Sequence, residues 1–80
     1  MVSSEDIRRY IAEGLQCDSI EVEGDGHHFE AVIVSGEFSG KSRIERHQRV
    51  YSALGDRMAG EIHALSMRTL TPEEWREAHG

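Results

Sequence analysis

Two β-type runs in this chain, HFEAVIVS at residues 28–35 and EIHALSMRTL at residues 61–70, are separated by a single helix-type segment. The first is dense in aromatic and β-branched residues. The second alternates, with His63, Leu65, Met67 and Thr69 on one face and Ile62, Ala64, Ser66, Arg68 and Leu70 on the other. Strands joined through one helix run parallel with a right-handed crossover, so this spacing constrains the fold more than any single motif. Upstream, residues 19–23 alternate with Ile20 and Val22 on one face, and GDG separates them from the first run, which predicts an antiparallel hairpin.

Helix signals surround these strands. Ser3 followed by Asp6 resembles a cap, and Ile7, Tyr10, Ile11 and Leu15 recur at helical spacing, predicting a helix over about residues 4–15. Ser42 with Glu45 is a capping box; beyond it Ile44, His47, Val50, Tyr51, Leu54 and Met58 form one stripe, with Arg46 and Arg49 off it and expected to face solvent. Thr71, Pro72 and Glu74 supply a cap, a first-turn proline and a return carboxylate. The predicted order is α-β-β-α-β-α: one α+β domain, a three-stranded mixed sheet with helices on one face, a core over about residues 4–76 and a flexible tail over residues 77–80.

At 80 residues the chain holds one core, and a domain of this size buries only about 60% of its unfolded surface. The single cysteine, Cys17, excludes an internal disulfide and suits a reducing compartment. No apolar run approaches the roughly 18 residues that span a bilayer, and acids stand in MVSSEDIRRY where a signal peptide carries basic residues, so a soluble cytoplasmic protein is expected. Charge is uneven. The net value is −6, with eight acids in residues 1–30 against Arg8 and Arg9, while residues 41–58 carry Lys41, Arg43, Arg46, Arg49 and Arg57 against Glu45 and Asp56.

GEFSGKS, between a strand and a helix, has three residues between Gly36 and Gly40 where a phosphate loop needs four, and Glu37 places negative charge where phosphates would lie. It reads as a strand-to-helix loop. Cys17, flanked by Gln16 and Asp18 near a helix C-terminus, lacks the cation that would activate a thiolate. No serine or paired-carboxylate arrangement points to an enzyme. Lys41, Arg43, Arg46 and Arg49 form a candidate nucleic-acid face, weighed against a solvated helix face on an acidic molecule.

The five histidines carry the sharper signal. His47 falls on the apolar stripe and reads as a hydrogen-bonded core residue; His79 falls in the expected tail. His63 opens one parallel strand and His27 or His28 opens the other, so imidazoles from distant segments are expected at one sheet edge. Two such ligands do not fill a tetrahedral site, and a partner must supply the rest.

HFEAVIVS, then F-x-G-K-S-x-x-x-R-H-x-x-V-Y at residues 38–51, IHALSM at residues 62–67 and LTPEEW at residues 70–75 resemble the BolA family, in its short, IbaG-like branch. The resemblance covers nearly the whole chain and implies a class II KH-like fold lacking the GxxG loop that clamps RNA. It implies a non-enzymatic adaptor in iron-sulfur trafficking and iron homeostasis, which binds a monothiol glutaredoxin and shares a bridging 2Fe-2S cluster; the isolated protein is expected to hold none. In that arrangement the glutaredoxin cysteine and glutathione supply thiolates. The BolA-like side supplies the histidine at the His63 position and a histidine or cysteine from the loop between the first two strands, here His28 or His27. GDGHH is shorter than that loop in many relatives and Cys17 lies outside it, so both histidines stay open. The family's other attribution, DNA binding and transcriptional regulation, would rest on Lys41, Arg43, Arg46 and Arg49. A homodimer is a further open partner state.

Overall fold

The structure, a computed structural model, describes residues 2–60 and 64–80. Its elements follow the expected order: α1 (Ser4–Gly14), β1 (Ser19–Gly24), β2 (Phe29–Val34), α2 (Arg43–Leu54), β3 (Leu65–Leu70) and α3 (Pro72–His79), with short 3-10 turns at Gly36–Phe38 and Gly55–Met58. Each helix starts at a reciprocal capping box, Ser3 with Asp6, Ser42 with Glu45 and Thr71 with Glu74, so each first turn finds acceptors for N–H groups that the helix itself leaves unpaired.

The sheet order is β1-β2-β3. β1 and β2 pair antiparallel from Ser19↔Val34 to Gly24↔Phe29. β2 and β3 pair parallel from Phe29↔Leu65 to Val34↔Leu70, across the α2 connection. Alternation along β2 sends Phe29, Ala31 and Ile33 into a core with Ile7, Ile11 and Leu15 from α1, Val50 and Leu54 from α2, and Phe38, Met58 and Leu65. Burying each large side chain among these stabilises the fold by about 1.5–3 kcal/mol before ordering costs. At the far end of β2, Ser19 and Val34 border a cleft with Pro72 and Trp75 of α3. Among the described residues no helix is long and apolar enough to cross a membrane.

Two expectations differ from the structure, and a third falls partly outside the described residues. β3 begins at Leu65, and its predicted opening, including His63, lies outside the described residues. On α2 only Val50 and Leu54 of the stripe are buried, with Met58 just beyond, whereas Ile44 is 71% and Tyr51 42% exposed. α1 packs on the later part of α2, where Arg49 donates to the Gly14 carbonyl and Gly14 lies against Ala53, and Arg57 in the 3-10 turn after α2 pairs with Glu13. Residues 77–79, assigned to a tail, are the last turn of α3, and the His79 ring stacks on Trp75 with centroids 4.2 Å apart.

Candidate metal-ligand edge

The β1–β2 ladder closes at Gly24↔Phe29 and leaves Asp25, Gly26, His27 and His28 to make the turn. Both histidines are exposed. The Asp25 Oδ1 atom accepts the His27 and His28 backbone N–H groups, each at 2.9 Å, and the Asp25 N–H donates to the His28 carbonyl at 3.2 Å. The His27 N–H, followed by that of His28, holds the Asp25 carboxyl below its ordinary range, because both donors favour the anion. Gly26 adopts φ 91°, a left-handed conformation that suits glycine. Gly24 has no room for a side chain: a Cβ there would collide with the His28 carbonyl oxygen and lie 2.5 Å from Phe29 Cδ1.

The two histidines are not equivalent. His28 lines a surface cleft of about 400 Å³ with Glu23, Gly24, Asp25 and Glu30, and His27 does not. The parallel register Phe29↔Leu65 sets the start of β3 beside the end of this turn. His63, two residues before Leu65, lies outside the described residues. Among the described residues no group of three or more His, Cys, Asp and Glu side chains is placed to hold a metal ion. The turn presents two exposed imidazoles, which by themselves are too few for a tetrahedral metal site.

Cys17 is no thiolate donor to this edge. It precedes β1, whereas the histidines follow it, and a strand of that length spans roughly 17 Å. Burial, with Glu37 and Asp18 nearby, pushes its thiol up to about 11. His47, expected in the core, is only half-buried and lies outside the core cluster; burial and then Arg43 push its proton affinity down.

The basic helix is not the solvent-facing row expected of it. Arg46 turns inward: its Nη1 donates to Glu74 Oε1 at 2.7 Å and to the Thr69 carbonyl at 3.3 Å, its Nη2 to Glu74 Oε2 at 3.3 Å, and its Nε to the Lys41 carbonyl at 3.0 Å. Arg49 binds Glu37 Oε1 at 3.0 Å and the Gly14 carbonyl at 3.0 Å. Carboxylates and carbonyls from distant segments converge on both guanidiniums, whose forked donors match them. Only Lys41 and Arg43 of the four remain on the exposed surface. No local spacing in the sequence links Glu74 or Glu37 to α2, because these arginine partners stand 28 and 12 residues away.

Residues 11–74 match the BolA-like protein family. Over 53 residues the chain is 43% identical to the DNA-binding transcriptional regulator BolA of Haemophilus influenzae, a match covering 66% of this chain and 52% of that protein. The chain thus spans about half the length of that relative. It is 35% identical to the acid stress protein IbaG of Escherichia coli strain K12 over 75 residues, 92% of this chain and 89% of that protein. A bolA protein homologue from Coxiella burnetii superposes with a TM-score of 0.84 at 47% identity, covering 95% of this chain and 99% of that one. With the family match over residues 11–74 and this superposition of its mixed three-stranded fold, the chain belongs to the BolA family.

Proposed function

We propose that this protein is a non-enzymatic cytoplasmic adaptor in iron-sulfur trafficking and iron homeostasis. It pairs with a monothiol glutaredoxin and shares a bridging 2Fe-2S cluster, with glutathione as a further thiolate source. The observation that carries the reading is the ordered turn holding His27 and His28 where the Phe29↔Leu65 register brings in the start of β3, the strand that His63 precedes. On this reading His63 is one ligand and His28 or His27 the other. Neutral imidazoles in place of thiolates raise a cluster's potential and make its retention pH-sensitive, which suits sensing or transfer over storage.

The test is to combine the protein anaerobically with a monothiol glutaredoxin, glutathione, iron and sulfide, and to compare the visible spectrum with that of the glutaredoxin alone. A distinct mixed-complex spectrum that His63→Ala abolishes is expected. Identical spectra with and without this protein would sink the reading.

A second reading, DNA-binding transcriptional regulation, is favoured by the similarity to the Haemophilus influenzae regulator and by exposed Lys41 and Arg43. The net charge of −6 and the inward commitment of Arg46 and Arg49 weigh against a strong phosphate contact.

A further inference from the structure

We infer that Asp25 is the positioning residue of the histidine turn, fixing the backbone of His27 and His28 so that both imidazoles are presented at a set place on the sheet edge. The inference rests on the cluster-sharing reading and assigns the residue that makes the edge ready to receive a partner-held group.

All three residues of GDG are spent on the two that follow. The Asp25 carboxylate accepts from His27 N–H and His28 N–H, both at 2.9 Å. Gly24 leaves the space that the His28 carbonyl and the Phe29 ring occupy, and Gly26 takes the left-handed turn between them. Phe29, 1% exposed, anchors the far end of the turn in the core. The β1–β2 ladder itself needs none of the carboxylate contacts, because it already closes at Gly24↔Phe29. The turn is exposed and buries nothing, so its order contributes little to the core; what the order sets is where its two side chains start. A loop ligand whose backbone is ordered in advance, whether His28 or His27, forfeits less freedom when a partner's metal arrives.

The two natural variants of the test separate acceptor from charge. Asp25→Asn keeps an oxygen acceptor at the same atom and removes the charge, whereas Asp25→Ala removes both. In the isolated protein, amide exchange at His27 and His28 followed by NMR is expected to be slow in wild type and Asp25→Asn, and about tenfold faster in Asp25→Ala. With monothiol glutaredoxin, glutathione, iron and sulfide, the lifetime of the mixed-complex visible spectrum is expected to be alike in wild type and Asp25→Asn and about tenfold shorter in Asp25→Ala. Equal lifetimes for Asp25→Ala and wild type overturn the positioning role and leave the cluster-sharing reading intact. A lifetime in Asp25→Asn as short as in Asp25→Ala assigns the effect to charge and also overturns it. Absence of any mixed-complex spectrum with wild type overturns the cluster-sharing reading and this inference together.

Discussion

Arg46 on α2 and Glu74 on α3 form a two-pronged ion pair, Nη1 to Oε1 at 2.7 Å and Nη2 to Oε2 at 3.3 Å, and Glu74 Oε1 also accepts the Thr71 N–H at 2.8 Å. One carboxylate therefore completes the cap of α3 and fastens that helix to α2. The Arg46 side chain is only 14% exposed. Its loss strands the Thr69 and Lys41 carbonyls along with Glu74. Arg46→Ala is expected to lower the melting temperature by on the order of 5 °C, and the Arg46→Ala/Glu74→Ala double variant by less than the sum of the singles. Additive losses in thermal unfolding would show that the two residues act independently.

The same pair sets a pH window. Hydrogen bonds from Arg46, then from the Thr71 N–H, hold Glu74 down at about 2, against an ordinary value of 4.5. A carboxyl depressed on folding contributes stability above its unfolded value and loses that contribution as pH falls toward its folded value. Wild-type melting temperature should therefore fall between about pH 4.5 and pH 2 more steeply than that of Glu74→Gln, which carries no proton-linked contribution at this site. Parallel curves for the two proteins would contradict the assignment.

Nucleic-acid binding is best tested on Lys41 and Arg43, because replacing Arg46 or Arg49 disturbs the fold itself. If the regulatory reading holds, Lys41→Ala/Arg43→Ala weakens binding to a generic duplex and reduces its salt dependence by about two phosphate contacts, with melting unchanged. The adaptor reading expects no salt-dependent binding in either protein at micromolar concentration. Fluorescence anisotropy at two salt concentrations distinguishes the outcomes.

Cys17 should be a slow nucleophile. With its thiol pushed up to about 11 against an ordinary 9.0, the thiolate fraction at pH 8 is lower by about a hundredfold. Alkylation by iodoacetamide at pH 8 is expected to lag an unfolded control by at least about tenfold, with full reactivity restored in denaturant. Equal rates in folded and unfolded protein would place the thiol in open solvent.

Burial, more than hydrophobicity, decides the cost of truncation on the helices. Ile7→Ala, at a fully buried position, should cost about 2–5 kcal/mol in urea unfolding. Ile44→Ser, at 71% exposure, should fall within about 0.5 kcal/mol of wild type. A loss of several kcal/mol for Ile44→Ser would require a packing partner that α2 does not show.

By itself the sequence determined what is local or periodic. The capping pairs Ser3–Asp6, Ser42–Glu45 and Thr71–Glu74 are three residues apart, so a helix start is legible in a few letters. Alternation in β1 placed Ile20 and Val22 on one face, which packs against the core, and the crossover between β2 and β3 dictated their parallel pairing, which set the histidine turn beside the start of β3. Tertiary structure decided the rest. Whether Ile44 is covered depends on where α1 meets α2, and whether Arg46 and Arg49 face water depends on Glu74 and Glu37, 28 and 12 residues away along the chain. Such contacts follow from the relative placement of whole elements, which helical periodicity does not encode. The turn GDGHH stands between the two. Its glycines announced a turn, but only the folded hairpin brings the Asp25 carboxylate onto both histidine N–H groups, because that contact needs the strands to have closed at Gly24 and Phe29.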